Sequence, residues 1–411
     1  MKETRNLNLP VVVVTLAFVS IVCGCKLVLP ENESGLRTLP NKGLSRLEVS
    51  SDFYDNIYAF FGNSGLNVKP DASKLSMSWP LSTETVLLTR FGTPTIGLFS
   101  NENGGEVKLA YFHEAIDIRR ATEAESDVVY APVSGSATVI NDGDPSSTDV
   151  SDYTVAVAIY DPESRLVVSL LHVRPADLLK IGQLTNVKRG DIIGNLASVD
   201  SMKPEFEKEF RHTHLSVVDV LNKKLIDPLN KFPQYKDTVH PTIKSIYITD
   251  EDGRRSDSLK TGALDIVADI FDRDLTSQRN FEITSLAFKI SDDLGNTLKE
   301  VQKCDLTAFT EYSLVPSQHF DIRSLLDIGS ALAQVSDKEW IGIKTDAANS
   351  ERSFRYALTN IKSGTSGCHV VPDADGTITV PENVEFIEVF LTVYDGSGNS
   401  SKVTKRLERS K

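Results

Sequence analysis

Sulfur is scarce in this chain: 411 residues hold four cysteines and three methionines. Cysteines at 23, 25, 304 and 368 are too few for a disulfide scaffold, and none belongs to a repeated CxxC pair of the kind that holds structural zinc. Positive charge is also short, with 44 Lys and Arg against 57 Asp and Glu, a net of −13. No basic lobe stands out. That argues against a nucleic-acid partner, because such affinity rests on clustered Lys and Arg neutralising phosphates. A hydrophobic share of 40% and a charged share of 25% exclude both a polytopic membrane protein and a disordered chain. At about 150 residues per domain, the length predicts two domains with accessory segments.

What is present begins at the N-terminus. Lys2 and Arg5 precede an apolar run over 7–24 that ends in Val22-Cys23-Gly24-Cys25. The pattern reads as a secretory signal, and its ending resembles the lipobox of bacterial lipoproteins. That resemblance implies removal of residues 1–24 and acylation of Cys25. The body would then sit in the bacterial cell envelope, held to a membrane by its lipid and facing the periplasm or exterior. A plain membrane anchor is the alternative. Either way the compartment is oxidising and permits a disulfide between Cys304 and Cys368, with two buried thiols as the other option.

Residues 25–76 read as a tether ending in a short helix. Its amphipathic stretch, 53–61, carries Phe53, Tyr54, Tyr58, Phe60 and Phe61, which are expected to dock on a larger body. Over 77–232, short β-like runs at 86–91, 128–131, 137–140, 154–160, 166–172 and 214–220 alternate with turn clusters and predict an antiparallel β domain. Residues 175–181 read as one or two helical turns. After a Pro-containing joint, runs at 243–249, 264–271, 285–291, 340–343, 354–358, 377–380 and 384–394 predict an immunoglobulin-like β-sandwich over 240–411, a surface that suits a protein partner. Lys402, Lys405, Arg406, Arg409 and Lys411 read as a solvated basic tail. The fold class expected is therefore mainly β in both domains.

Histidine is rare as well, seven in the chain, and four of the seven fall in two motifs and one strand end inside the first β domain. His113-Glu114-Ala115-Ile116-Asp117 places a histidine and a carboxylate four apart, and His212-Thr213-His214 places two histidines two apart. On a strand, residues an even number apart share a face, so each pair can share one ion. Either motif alone is weak evidence. His113-Glu114-x-x-Asp117 is also one residue from HExxH, in which a helix presents two ligands and Glu114 would act as base. His240, His319 and His369 read as structural, and the acidic turns at 142–152 and 373–376 as solvated.

The combination is more specific. Arg90-Phe91-Gly92, then His113 to Asp117, Ala131-Pro132-Val133-Ser134-Gly135, Leu171-His172-Val173, Val187-Lys188-Arg189-Gly190-Asp191-Ile192-Ile193-Gly194 and His212-Thr213-His214-Leu215 follow one another in order. Over about 79–229 this resembles the zinc-dependent M23 peptidases, which include lysostaphin-type endopeptidases acting on bacterial cell walls. The resemblance implies that His113, Asp117 and His214 bind Zn2+, that His172 and His212 are catalytic, and that peptidoglycan is the substrate. Ala115 stands where the family has glycine, Leu170 where tyrosine is common and Val173 where leucine is usual. A second class of function stays open, a non-enzymatic envelope lipoprotein that binds peptidoglycan or regulates a cell-wall hydrolase.

Overall fold

The computed structural model describes residues 45–46, 51–64, 69–81, 85–100, 106–120, 127–141, 155–197, 211–249, 255–273, 280–307, 354–364, 367–370 and 376–409. The signal, Cys25, the run at 340–343, the acidic turn at 142–152, most of the turn at 373–376 and His319 lie outside them.

The chain is mainly β, in several antiparallel sheets. The large sheet of the N-terminal body runs Thr185–Val187, Gly135–Asn141, Val155–Asp161, Leu166–Leu171, Thr213–Asp219, Ile116–Arg120, Thr85–Thr89, and Lys224–Ile226 also pairs with Thr213–Asp219. Its three central strands are buried along their whole length, so both faces are covered. Part of the cover is the helix Ser51–Asn63. Phe53, Tyr54, Ile57, Tyr58 and Phe61 recur at helical spacing and are buried, leaving Asp55 and Ala59 exposed. Tyr54 shares a hydrogen bond of 2.7 Å with Ser216, and the Asn56 amide donates to the carbonyl of Asn141. Each large buried side chain contributes about 1.5–3 kcal/mol of hydrophobic stabilisation. A smaller sheet, Val173–Pro175, Ile192–Leu196, Val128–Tyr130, adjoins the large one.

Two motif glycines are demanded by close approach. A Cβ on Gly135 would lie 2.0 Å from the Tyr160 carbonyl oxygen, and one on Gly194 would lie 2.2 Å from that of Arg174. Only hydrogen fits at either place. Residues 175–181 do not form the expected helical turns: Pro175 ends a strand, a turn follows, and Ile181 bridges to Val139.

The C-terminal body is a β-sandwich. One sheet is built on Thr242–Thr249 and Gly262–Arg273, with Phe354–Ala357 and Ile378–Val380 added to the latter. The other is Ser258–Leu259, Ser400–Arg409, Phe386–Tyr394, Ser285–Asp292, Thr297–Asp305. Phe386–Tyr394 alternates buried and part-exposed positions, as a strand with one face on the core does. Within the basic tail Lys402, Lys405, Arg406 and Arg409 lie on the Ser400–Arg409 strand of this sheet, the first three with exposed side chains, while Lys411 lies outside the described residues. Leu407 reaches the core while Arg406 lies over the Phe386 ring and Arg409 donates to the carbonyls of Val384 and Pro381. Cys304 and Cys368 are joined in a disulfide with Cα atoms 5.1 Å apart.

Both bodies meet around one arginine. Arg90, at the end of the first strand of the large sheet, is buried. Its Nη1 donates to Asp272 of the sandwich at 2.5 Å, and its Nη2 donates to Asp237 and the Tyr235 hydroxyl of the linker, each at 3.1 Å. The guanidinium also stacks 4.4 Å over Phe281, a sandwich residue that joins the N-terminal core. Linker residue His240 holds the Ser400 carbonyl at 2.8 Å, a structural role. Burial pushes the Glu282 carboxyl up to about 7 against the pull of Thr93 and Arg90, and the Asp272 carboxyl up to about 6 against that of Arg90.

Opening the disulfide frees a loop of 64 residues, for which loop-closure entropy gives about 4 kcal/mol. The Cys304→Ser, Cys368→Ser double variant should therefore lose about 2–4 kcal/mol in denaturant unfolding of the sandwich, and reductant should reproduce the loss in wild type only. For Glu282, a folded carboxyl near 7 keeps a proton that the unfolded chain releases near 4.3. Its contribution is whole below about pH 4 and is lost as pH rises through 7. Between pH 5 and 8 the stability of wild type should fall more steeply than that of Glu282→Gln; parallel slopes in urea titrations would contradict this.

Candidate metal centre

Backbone register assembles the site. On the central strand Thr213–Asp219, His214 pairs with Asp117 on one side and with Leu171 on the other. Direct cross-strand neighbours have Cβ atoms about 4.5–5.5 Å apart, so Asp117 and His214 are juxtaposed by the sheet itself. The Thr213 hydroxyl donates to the Leu171 carbonyl at 2.9 Å and pins that register. His172 follows directly after Leu171, and His212 immediately precedes the central strand.

Around the Asp117 carboxylate stand three imidazoles. His113 Nε2 lies 3.1 Å from Oδ2, His214 Nδ1 lies 3.0 Å from Oδ1, and His212 Nε2 lies 3.8 Å from Oδ1. One donor atom from each of His113, Asp117 and His214 falls within 4.8 Å of the others. His172 completes the group, its ring 5.1 Å from that of His212 and 6.3 Å from that of His214. The structure thus brings together all five residues singled out in the sequence. His113, His172 and His214 are nearly inaccessible, whereas the side chains of Asp117 and His212 keep 13% and 12% exposure, so solvent reaches the cluster from their side.

His113 is not on a strand, contrary to the alternation argument. It sits between Glu106–Phe112 and Ile116–Arg120, on a bend that lets residues four apart converge. No helix is present there, so the HExxH reading, with Glu114 as base, does not hold. Ala115 keeps an ordinary negative φ, and glycine's freedom is not needed at that position. Its carbonyl accepts from His113 Nδ1 at 2.7 Å. That bond places a proton on Nδ1 and turns Nε2 toward Asp117. A backbone carbonyl has no signature in sequence, and this partner was not foreseeable there.

Electrostatics favours an anionic Asp117 carboxylate. Burial alone would raise the Asp117 carboxyl, but His113, His212 and the hydrogen bonds from His113 and His214 outweigh it and hold it well below the usual range. Burial, helped by the nearby His113, pushes the His214 imidazole down against the pull of Asp117. His214 Nε2 is buried with no hydrogen-bond partner. Two imidazoles and a carboxylate on one small tripod are a donor set that catalytic zinc takes, with room for further ligands. These residues fit the ion.

His172 carries strain. Its φ is +64°, in the left-handed region that a residue with a Cβ enters at a cost of about 1–2 kcal/mol. The kink ends Leu166–Leu171 in the large sheet and starts Val173–Pro175 in the small one, and the His172 carbonyl accepts from Ala197 at 2.9 Å. Leu170 is fully buried in the core.

No family model matches the chain, and no curated protein matches it. Among solved structures, Csd3 of Helicobacter pylori is 20% identical with a TM-score of 0.22, over 41% of this chain and 38% of that one. The chain thus spans well under half the length of that relative. The solution structure of lysostaphin is 14% identical with a TM-score of 0.22, over 68% of this chain and 90% of the other. Values this low carry no weight for fold or chemistry, and the site rests on its own geometry.

The strain at His172 is open to test. Elsewhere glycine is the less stable choice, but at positive φ the order reverses. His172→Gly should be more stable than His172→Ala by about 1 kcal/mol in urea unfolding; the opposite order would place this residue in ordinary backbone.

Proposed function

We propose that this chain is a zinc-dependent metalloendopeptidase that hydrolyses peptide bonds in the cross-links or stems of peptidoglycan, tethered to a bacterial membrane through a lipid on Cys25. The observation that carries the reading is the convergence of His113, Asp117 and His214 within 4.8 Å, with the rings of His172 and His212 paired beside them at 5.1 Å. Three ligands with an accessible side is the arrangement of a catalytic rather than a structural zinc site. The ordered motifs from Arg90 to Leu215 support the M23-type assignment, and peptidoglycan enters through that resemblance.

His113, Asp117 and His214 would hold the ion. When bound, zinc supplies a Lewis acid that polarises a carbonyl and makes water acidic enough to attack it near neutral pH. The protein's own part is to orient and to move protons. Asp117 stays anionic and lowers the charge of the site. His113 is locked by Ala115 so that one nitrogen only faces inward. His172 and His212 stand where one can accept a proton from the attacking water and the other can donate a hydrogen bond to the oxyanion that develops on the substrate. His212, the more exposed of the two, meets incoming substrate first. The sandwich, beyond its grip on Arg90, offers a surface for a partner protein.

Purified peptidoglycan tests the reading. Wild type should bind one zinc and release muropeptides; Asp117→Ala should lose both, and His172→Ala should keep zinc while losing about 10²–10⁴-fold in rate. Because burial pushes the His214 imidazole down, activity should persist below the ordinary histidine range and fall only as that ring protonates at still lower pH. Zinc binding without release above that of the variants would instead assign the chain as a non-enzymatic binder or regulator.

A further inference from the structure

Asp117 and His214 are placed by the register of the large sheet, but His113 belongs to no strand. Both of its peptide groups are used by a single turn: Gly92 N donates to His113 O at 2.8 Å, and His113 N donates to Thr93 O at 2.9 Å. That turn is closed by Thr93 N on Arg90 O at 3.2 Å and by Arg90 N on the Thr93 hydroxyl at 3.1 Å. Whatever fixes the 90–93 turn therefore fixes the backbone of His113.

The grip on the turn comes from the other body. Asp272 holds the Arg90 guanidinium, Phe281 stacks against it, and Glu282 accepts from the Thr93 hydroxyl. Asp237 and Tyr235 of the linker hold the second Nη. Resting on the zinc reading above, we infer that Asp272 and Glu282 of the C-terminal sandwich are positioning residues of the metal centre, acting through Arg90 and Thr93 on His113. They touch neither metal nor substrate. The sandwich is then part of the catalytic apparatus, and its docking is coupled to ligand geometry over a path of two side-chain contacts and two backbone bonds.

The coupling has a definite physical content. A charged guanidinium buried with hydrogen-bonded carboxylates is held by charge-assisted bonds, and the planar fork of arginine is matched poorly by lysine. Replacing Asp272 by Asn keeps the shape and weakens the bond to Arg90. The turn then loses one of its two anchors, and His113 gains freedom that the sheet does not restrict. Outer partners of metal-binding histidines typically affect metal affinity about 10–100-fold.

The test uses the full chain. Zinc dissociation constants, measured by competition with a chelator, should rise about 10-fold or more in Asp272→Asn and in Glu282→Gln, while Lys405→Gln, exposed on the Ser400–Arg409 strand, stays at the wild-type value. Excess zinc should restore the activity of both variants, which a merely damaged fold would not permit. The Arg90→Gln, Asp272→Asn double variant should lose no more than the worse single one, because both break one chain of contacts. Amide exchange at Gly92 and His113, followed without metal, should speed up in Asp272→Asn. Folded variants with unchanged zinc affinity and unchanged exchange at those two amides would overturn the inference. If wild type bound no zinc while exchange at Gly92 and His113 still rose, the enzyme reading would fail and the backbone clamp would stand.

Discussion

The site depends on one carboxylate. Asp117 is largely withdrawn from solvent, with 13% of its side chain exposed, and an anion so placed is tolerated only where charge or hydrogen bonds compensate it. Here the compensation is three imidazoles within 3.8 Å, and because imidazole can be neutral or charged near pH 7, the same rings can surrender their protons to a metal. The carboxylate is thus the electrostatic keystone of the cluster and, on the function proposed above, would be one of the metal's ligands. Everything around it serves to hold rings in place that would otherwise repel one another whenever they are protonated.

Two unequal kinds of support do this. For Asp117 and His214 the support is a sheet whose central strands are buried on both faces, so that a register slip would undo the packing on both. For His113 it is local and borrowed, a bend held by the Ala115 carbonyl and by a turn that the sandwich grips. His172 is a third case, fixed by a backbone kink where one strand leaves the large sheet for the small one. Ligands placed by sheets are rigid by construction, whereas those placed by turns are as rigid as the contacts behind the turn.

The division explains what sequence could and could not reveal. The four clustered histidines stood out because histidine is rare here and falls in ordered motifs, with Asp117 marked by its place in the first, yet the geometry behind that motif was not legible. Strand alternation pairs His113 with Asp117 correctly for an incorrect reason, since a bend also brings residues four apart together. The basic strand Ser400–Arg409 was hidden because few of its side chains turn inward, so its alternation is written in Val403 and Leu407 alone among lysines and arginines. Arg90 contacts Asp272 across 182 residues of chain, and no local pattern records such a distance. Residues 175–181 lack helical packing partners and settle into a turn and a bridge, where tertiary pairing overrides a weak local preference.

Among the described residues, geometry alone would rate two clusters of potential metal donors alike, His113 with Asp117 and His214, and Asp237 with Asp272 and Asp395. Chemistry separates them. The second already contains a cation: Arg90 lies between Asp237 and Asp272, its buried guanidinium held charged because Tyr235, Asp272 and Glu282 outweigh the cost of burial. A guanidinium does not give up its proton to make way for a metal, so that cluster is a closed ion pair joining two bodies. In the first cluster the counter-ions are bases that can give theirs up. Of the two, only the histidine site can exchange protons for a metal, and the arginine site can serve it only from behind.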